Sequence, residues 1–165
     1  MGMTAVDELR FVSVSQDDPL AAPLLAELAV EYSGRYGSTE QRVMKWLLSE
    51  YPADDFTPPN GALLIGLLDG VPVTGGAFRR FDETRAELKR VWTASGHRQR
   101  GYAKAVLAEL EREIAARGYR RVYLTTGDRQ PEAEALYLSA GYTRLAGPLA
   151  AESDGYPIAF EKVLV

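Results

Sequence analysis

The hydrophobic positions of the chain follow two different spacings, and the change from one spacing to the other predicts its elements. Seven segments have the short apolar runs or loose alternation of strands: residues 8–14, 62–68, 71–81, 86–93, 120–126, 142–145 and 156–163. Four segments repeat apolar residues every three or four positions, as helices do: residues 19–32, 40–51, 100–117 and 131–140. The resulting order, βααβββαβαββ, predicts a mixed α/β layer fold around a central sheet.

Polar residues at the ends of these segments support the same boundaries. Asp18 before Pro19 is a typical start for the first helix, because its carboxylate can accept from a free main-chain N–H. Residues 38–41 resemble a capping box for the second helix. Asp69 and Gly70 predict a two-residue hairpin between the second and third strands.

Composition narrows the class of protein. With 165 residues and no internal repeat, we expect one domain, residues 1–165. The absence of cysteine excludes disulfides and thiolate metal sites, and the single histidine, His97, excludes a multi-histidine site, so we expect no metal. A net charge of −4 argues against a nucleic-acid partner. No apolar run is long enough for a membrane span and no signal peptide is evident, so we expect a cytoplasmic protein without a membrane partner.

A basic loop precedes the third helix and is the first candidate site. Residues 98–103 read Arg-Gln-Arg-Gly-Tyr-Ala and lie between a predicted strand and a strongly predicted helix. A helix N-terminus offers unpaired N–H groups and a positive dipole end, which together bind phosphate. Gly101 allows close approach to the main chain, and Arg98 and Arg100 add positive charge. The alternative is an ordinary basic loop with a glycine at a turn.

Three stretches in this order resemble the motifs of the GCN5-related N-acetyltransferase (GNAT) family. They are the strand at residues 86–93, the Arg-x-x-Gly-x-Ala loop at 98–103, and the segment at 130–142, which is similar to the family's Asn-x-x-Ala-x-x-Leu-Tyr-x-x-x-Gly-Phe. Gln130 stands where the family commonly has Asn. The element order is also similar to that of the whole family fold, so the resemblance covers most of the chain.

The resemblance implies a GNAT-type mixed, mostly antiparallel central sheet with helices on both faces. It implies transfer of an acetyl group from acetyl-CoA, as co-substrate, to a primary amine of a small molecule or peptide. The absence of cysteine fits direct attack by the amine, without an acyl-cysteine intermediate. The residues that it assigns to acetyl-CoA are Val91, Trp92, Thr93, Arg98, Gln99, Arg100, Gly101, Tyr102, Ala103, Gln130, Ala133 and Tyr137.

Tyr137 is the candidate general acid for the departing thiolate. It also falls on the apolar stripe of its helix, where an aromatic residue usually belongs to the core. Both interpretations hold if the ring packs inside and the hydroxyl faces the cleft.

Glu87 is the candidate general base, because a carboxylate inside a central strand is unusual. Alternation places it on one face with Lys89 and Val91. The alternative is a structural ion pair with Arg79, Lys89 or Arg90. His97 is interpreted as a solvated residue or a phosphate neighbour.

The acceptor side is the least defined part of the sequence. Aromatic residues of the first two helices could line it, or could be core and surface residues: Tyr32, Tyr36, Trp46 and Tyr51. The loop before the last strand supplies further candidates, namely Asp154, Gly155 and Tyr156. The identity of the amine stays open, and two chains could pair as a homodimer through a sheet edge.

Two other functions remain alternatives. The same fold could bind acyl-CoA as a sensor or interaction module without turnover. A nucleotide-binding domain of Rossmann type is the third interpretation. It is disfavoured because the glycine loop follows an antiparallel meander instead of the first strand of a parallel sheet.

Overall fold

The computed structural model describes residues 8–127, 130–149 and 158–164 of the chain. Seven strands are present in this part: β1 Arg10–Ser13, β2 Ala62–Leu68, β3 Val71–Arg80, β4 Arg85–Thr93, β5 Arg121–Thr126, β6 Thr143–Arg144 and β7 Ile158–Val163. The α-helices are α1 Ala22–Tyr36, α2 Glu40–Ser49, α3 Tyr102–Ala116 and α4 Pro131–Ser139. Single turns of 3₁₀ helix cover Pro19–Ala21, Ala53–Phe56 and Ser95–His97. The predicted order of strands and helices is confirmed.

The strands form one sheet in the order β1-β2-β3-β4-β5-β7-β6. Within the described residues every neighbouring pair is antiparallel except β4 and β5. Asp69 and Gly70 take φ angles of 51° and 80° and make the predicted hairpin turn. The parallel pair follows from the β4–α3–β5 crossover. The sheet is therefore mixed and mostly antiparallel, as predicted.

Helices cover both faces of the sheet. Alternate residues of β2 show this, because Leu64 packs in the core with α3, whereas Leu63 and Ile65 pack in the core with α1 and α2. The apolar stripe of α3, which includes Leu107 and Leu110, is fully buried. Two separate cores thus fix the sheet between the helical layers. None of the helices in the described residues is both long and apolar enough to cross a membrane.

A β-bulge interrupts β4. Two residues of β4, Arg90 and Val91, lie opposite the single residue Gly76 of β3. Arg90 has a φ of 60°, the left-handed conformation that a bulge of this kind requires. The bulge inverts the alternation, so Leu88 packs on the α3 side and Trp92 packs on the side of α1 and α2.

The predicted common face of Glu87, Lys89 and Val91 is therefore wrong. Val91 packs against the core on the α3 side. Lys89 lies on the opposite side, with its Nζ 3.6 Å from Glu50 at the end of α2. Local alternation could not reveal an inserted residue.

β4 and β5 diverge after a short stretch of pairing. They pair in parallel only where Arg85–Glu87 faces Arg121–Tyr123. Beyond this point β4 continues to Thr93 and β5 to Thr126 with no pair between them. The main-chain groups on the facing edges thus have no strand partner there, and a gap opens between the strands.

Helix boundaries differ slightly from the predictions. α1 continues to Tyr36 because Gly34 is accommodated within it, and Gly37, with a φ of 68°, provides the left-handed end. α3 begins at Tyr102 because Gly101 takes a φ of 82°, outside the helical region. The predicted loop candidates Asp154, Gly155 and Tyr156 lie outside the described residues.

Candidate active site

A cleft of about 610 Å³ opens where β4 and β5 separate. Its wall brings together segments that are far apart in the sequence: the end of β4, the loop before α3, the end of β5 and the first turns of α4. The predicted site residues on this wall are Val91, Trp92, Thr93, Arg98, Gln99, Gly101, Tyr102, Ala103, Gln130, Ala133 and Tyr137. Glu87 and Arg100 are not part of it.

The loop at residues 98–103 presents the start of α3 to the cleft. No side chain caps the helix at Gly101, so its first N–H groups are left for another acceptor. Arg98 is oriented by a 3.3 Å hydrogen bond from its Nε to the Thr93 carbonyl. Arg100 instead lies 3.5 Å from the His97 ring nitrogen Nδ1. The uncapped N-terminus and Arg98 together fit an anionic group such as a pyrophosphate.

The outer end of β4 is anchored on the side away from the gap. The buried hydroxyl of Thr74 on β3 donates to the Trp92 carbonyl at 2.8 Å and lies 3.2 Å from the Thr93 hydroxyl. The Ala94 N–H donates to the Val73 carbonyl at 2.8 Å. These contacts hold one edge of the strand firmly and leave its other edge facing the cleft.

Tyr137 packs in the core and also reaches the cleft, and its role as the acid stays a prediction. Its ring packs against Tyr142 and Phe160, with centroids 5.7 and 5.9 Å away, and the residue also lines the cleft. Burial raises the pKa of the Tyr137 phenol above its ordinary value, and the neighbouring Tyr32 raises it further. The phenol therefore keeps its proton throughout the neutral range.

Glu87 has the contacts of the ion-pair alternative. It lies directly opposite Arg79 of β3, whose Nη1 is 3.1 Å from Glu87 Oε1. Its other oxygen is 3.6 Å from Lys89 Nζ. Arg79 also binds Asp55 at 3.0 Å. The carboxylate is thus a member of a buried charge network behind the cleft wall, and its role as base stays a prediction.

The model of the acetyltransferase (GNAT) family matches residues 23–142. The chain belongs to the GNAT family. The resemblance of its three motifs to this family is therefore confirmed, and the matched region contains every predicted catalytic and cofactor-binding residue.

Individual GNAT relatives are more distant. N-acetyltransferase 8 of Homo sapiens is 30% identical over 102 residues, which are 62% of this chain and 44% of that protein. The chain thus spans less than half of that relative's length. A Klebsiella pneumoniae structure named as an acyl-CoA N-acyltransferase is 25% identical with a TM-score of 0.73, covering 95% of this chain and 98% of its own. The PaiA N-acetyltransferase of Thermoplasma acidophilum, solved with coenzyme A, is 16% identical with a TM-score of 0.72, covering 94% and 98%.

Only part of the aromatic set predicted for the acceptor side lines the cleft. Tyr32 and Trp46 line the cleft, but Tyr36 and Tyr51 do not. Tyr51 lies beside the charge network, with its ring centroid 4.2 Å from the Arg79 guanidinium carbon. Tyr36 is the last residue of α1, one turn beyond Tyr32, and Tyr51 follows the end of α2.

Charged residues of the cleft wall were missed by the sequence analysis. Glu31, Arg35, Glu50, Lys89 and Lys104 all line it. A signal for two of them is present in the sequence, since acidic and basic residues recur every four positions at 27, 31 and 35 on the polar side of α1. In the described residues, no cluster of three or more acidic or histidine side chains could hold a metal ion.

Proposed function

We propose that this GNAT-family chain is an enzyme that transfers the acetyl group of acetyl-CoA directly to a primary amine. The observation that carries the proposal is the divergence of β4 and β5 into a cleft lined by residues of all three family motifs. Coenzyme A in the structure of the Thermoplasma acidophilum relative supports the co-substrate. The identity of the amine stays open. A cytoplasmic location and a homodimer stay predictions from the sequence.

The wall offers suitable partners for the pyrophosphate and the pantetheine arm of acetyl-CoA. The uncapped start of α3 and Arg98 would hold the pyrophosphate, because both supply donors to an anion. The free edge of β4 at residues 91–93 would bond the amides of the pantetheine arm, as a strand would. At the start of α4, Gln130 would offer its side-chain amide to the same arm, and the small side chain of Ala133 would leave room for it.

Acetyl transfer then needs one bond to form and one to break. The amine nitrogen attacks the thioester carbonyl carbon, and main-chain N–H groups of residues 91–93 stabilise the negative charge on oxygen. As the C–S bond breaks, the Tyr137 phenol donates its proton to sulfur, and the resulting phenolate recovers one from water. The amine loses one proton, so the products are the acetylated amine and free coenzyme A.

The amine must also lose a proton to a base. Glu87 remains the candidate base from the sequence. Because Glu87 does not line the cleft, the proton of the amine would reach its carboxylate through water or through Lys89.

Calorimetric titration with acetyl-CoA, beside free coenzyme A and NADH, tests the proposal. We expect saturable binding of both coenzyme A species and none of NADH. Gly101→Asp should abolish or greatly weaken the binding of both coenzyme A species, because a side chain is strained at a φ of 82° and a carboxylate repels phosphate.

Release of the coenzyme A thiol in the presence of a panel of primary amines then separates enzyme from sensor. Binding without turnover by any amine would support the non-catalytic alternative. No binding of either coenzyme A species would overturn both functions.

A further inference from the structure

Four charged side chains form a neutral cluster on the cleft wall. Glu31 and Arg35 come from α1, Arg98 comes from the loop before α3, and Glu132 comes from the first turn of α4. Arg98 donates through Nη2 to Glu31, and Arg35 donates through Nη2 to Glu132. We call these four residues the charged quartet.

The spacing of α1 explains why the quartet forms. Glu27, Glu31 and Arg35 are four residues apart and so share one side of the helix. Glu27 accepts from the Ser95 N–H at 3.3 Å, one turn before the Glu31–Arg98 contact. α1 therefore contacts the loop that precedes α3 at two points. Glu27 accepts from a main-chain amide, and Glu31 pairs with the Arg98 guanidinium.

The same helix also holds the start of α4. Besides the Arg35–Glu132 pair, the Tyr36 hydroxyl accepts a 3.1 Å hydrogen bond from Gln130 Nε2. Arg98 and Gln130, both predicted to contact acetyl-CoA, are thus bonded to α1 side chains. A bound cofactor must share or replace these contacts.

Glu31 is the member of the quartet that opposes the cofactor most directly. The Arg98 guanidinium is committed through Nε to the Thr93 carbonyl and through Nη2 to Glu31. A phosphate that binds the same guanidinium would bring a second anion beside the Glu31 carboxylate, and like charges repel. Carboxylate and phosphate therefore compete for one cation.

We propose that Glu31 competes with the phosphates of acetyl-CoA for Arg98, lowers the affinity for the cofactor, and thereby speeds release of coenzyme A after transfer. This inference rests on the proposed function, because it takes Arg98 as a phosphate partner. Release of product limits the turnover of many enzymes that close around a ligand. A competing carboxylate in the wall is a simple means of keeping that step fast.

The expected effect is modest because the pair is partly solvated. The Arg98 side chain is 43% exposed and the Glu31 side chain 27%. Ion pairs of this exposure contribute little, so Glu31→Gln should tighten acetyl-CoA binding about two- to fivefold. The KM for acetyl-CoA should fall, and the dissociation rate constant of free coenzyme A, measured by stopped-flow displacement, should also fall about two- to fivefold, since Glu31 no longer competes for Arg98.

The matched control is Glu27→Gln. It removes the same charge from the same side of α1, one turn away, but its partner is the Ser95 amide instead of a cation. Glu27→Gln measures how far the removal of one negative charge near the site changes the affinity for acetyl-CoA. We expect it to tighten binding clearly less than Glu31→Gln. Thermal unfolding of both variants verifies that each is folded before titration.

A double-mutant cycle with Arg98→Gln decides the mechanism. Calorimetric titration with acetyl-CoA is performed on the wild type, each single variant and the Glu31→Gln, Arg98→Gln double variant. Arg98→Gln alone should weaken binding, and in its background Glu31→Gln should no longer tighten it, because the shared cation is gone.

Three results would overturn the inference: Glu31→Gln weakens or does not change binding, it acts no more strongly than Glu27→Gln, or its effect persists without Arg98. Absence of acetyl-CoA binding by the wild type would instead overturn the proposed function on which the inference rests.

Discussion

Replacing Gly127 with alanine should displace the side chain of Tyr36 at the end of α1. A Cβ atom at Gly127 would lie 1.8 Å from the hydroxyl oxygen of Tyr36 and 2.8 Å from its ring carbon Cζ. These atoms are at the end of a side chain that is 36% exposed, so the ring can move outward while the main chain keeps its position. The substitution therefore acts on Tyr36 and on what Tyr36 contacts.

The magnitude follows from the contacts that Tyr36 gives up. They include the 3.1 Å hydrogen bond from Gln130 and the edge contact with Tyr32, whose ring centroid is 6.3 Å away. Each is worth about 1 kcal/mol. Alanine offsets about 0.4–1 kcal/mol by restricting the unfolded chain, since Gly127 does not have a left-handed φ. We expect the free energy of unfolding to fall by about 1 kcal/mol.

Urea denaturation of Gly127→Ala, Tyr36→Ala and the double variant tests this reasoning. In the Tyr36→Ala background the atoms nearest to the new methyl group are absent. Gly127→Ala should then stabilise the protein by about 0.4–1 kcal/mol, so the effect changes sign between backgrounds. An equal loss in both backgrounds would refute the argument, because the strain would then lie in the main chain.

Three further predictions concern the cleft and the core behind it. Tyr137→Phe should lower kcat about 100-fold with little change in acetyl-CoA affinity, and an unchanged kcat in the thiol-release assay would contradict its role as acid. Glu87→Gln should shift or abolish the acidic limb of the pH–rate profile if Glu87 is the base; an intact profile with lower stability in urea would leave only the ion pairs. Burial raises the phenol pKa values of Tyr32, Tyr137 and Tyr142, so the folded chain keeps these protons above about pH 10, where the unfolded chain releases them. The free energy of unfolding should thus be unaffected below about pH 10 and fall above it, by up to about 1.4 kcal/mol per pH unit for each tyrosine; urea titrations between about pH 9 and 11 measure this slope, and Tyr142→Phe should reduce it.

The sequence by itself determined the elements and their order, because these depend on contacts between near neighbours. Asp18 caps the first helical turn through a 2.8 Å bond from the Leu20 N–H, and Thr39 accepts from the Arg42 N–H at 3.2 Å. The segment 62–68 has the same limits in sequence and structure. The family motifs are equally local, so the loop at 98–103 and Tyr137 could be identified before any fold was known.

Only the tertiary structure decided what faces the cleft. The bulge at Arg90 turns Val91 away from Glu87 and Lys89, and it is visible only in the register between β3 and β4. Register is a property of two strands, and one strand's alternation does not contain it. The cleft also depends on two strands, because Glu87 lies where β4 still pairs with β5, opposite Tyr123, whereas Lys89 lies beyond the last pair and lines the cleft.

The divergence of β4 from β5 and the charged quartet also belong to the tertiary structure alone. Arg98 meets Glu31 across 67 positions of the sequence, and Arg35 meets Glu132 across 97. Each charge by itself resembles a solvated surface residue. The sheet and its crossover bring α1, the loop before α3 and the start of α4 to one opening, and proximity in space then pairs charges that no local pattern could connect.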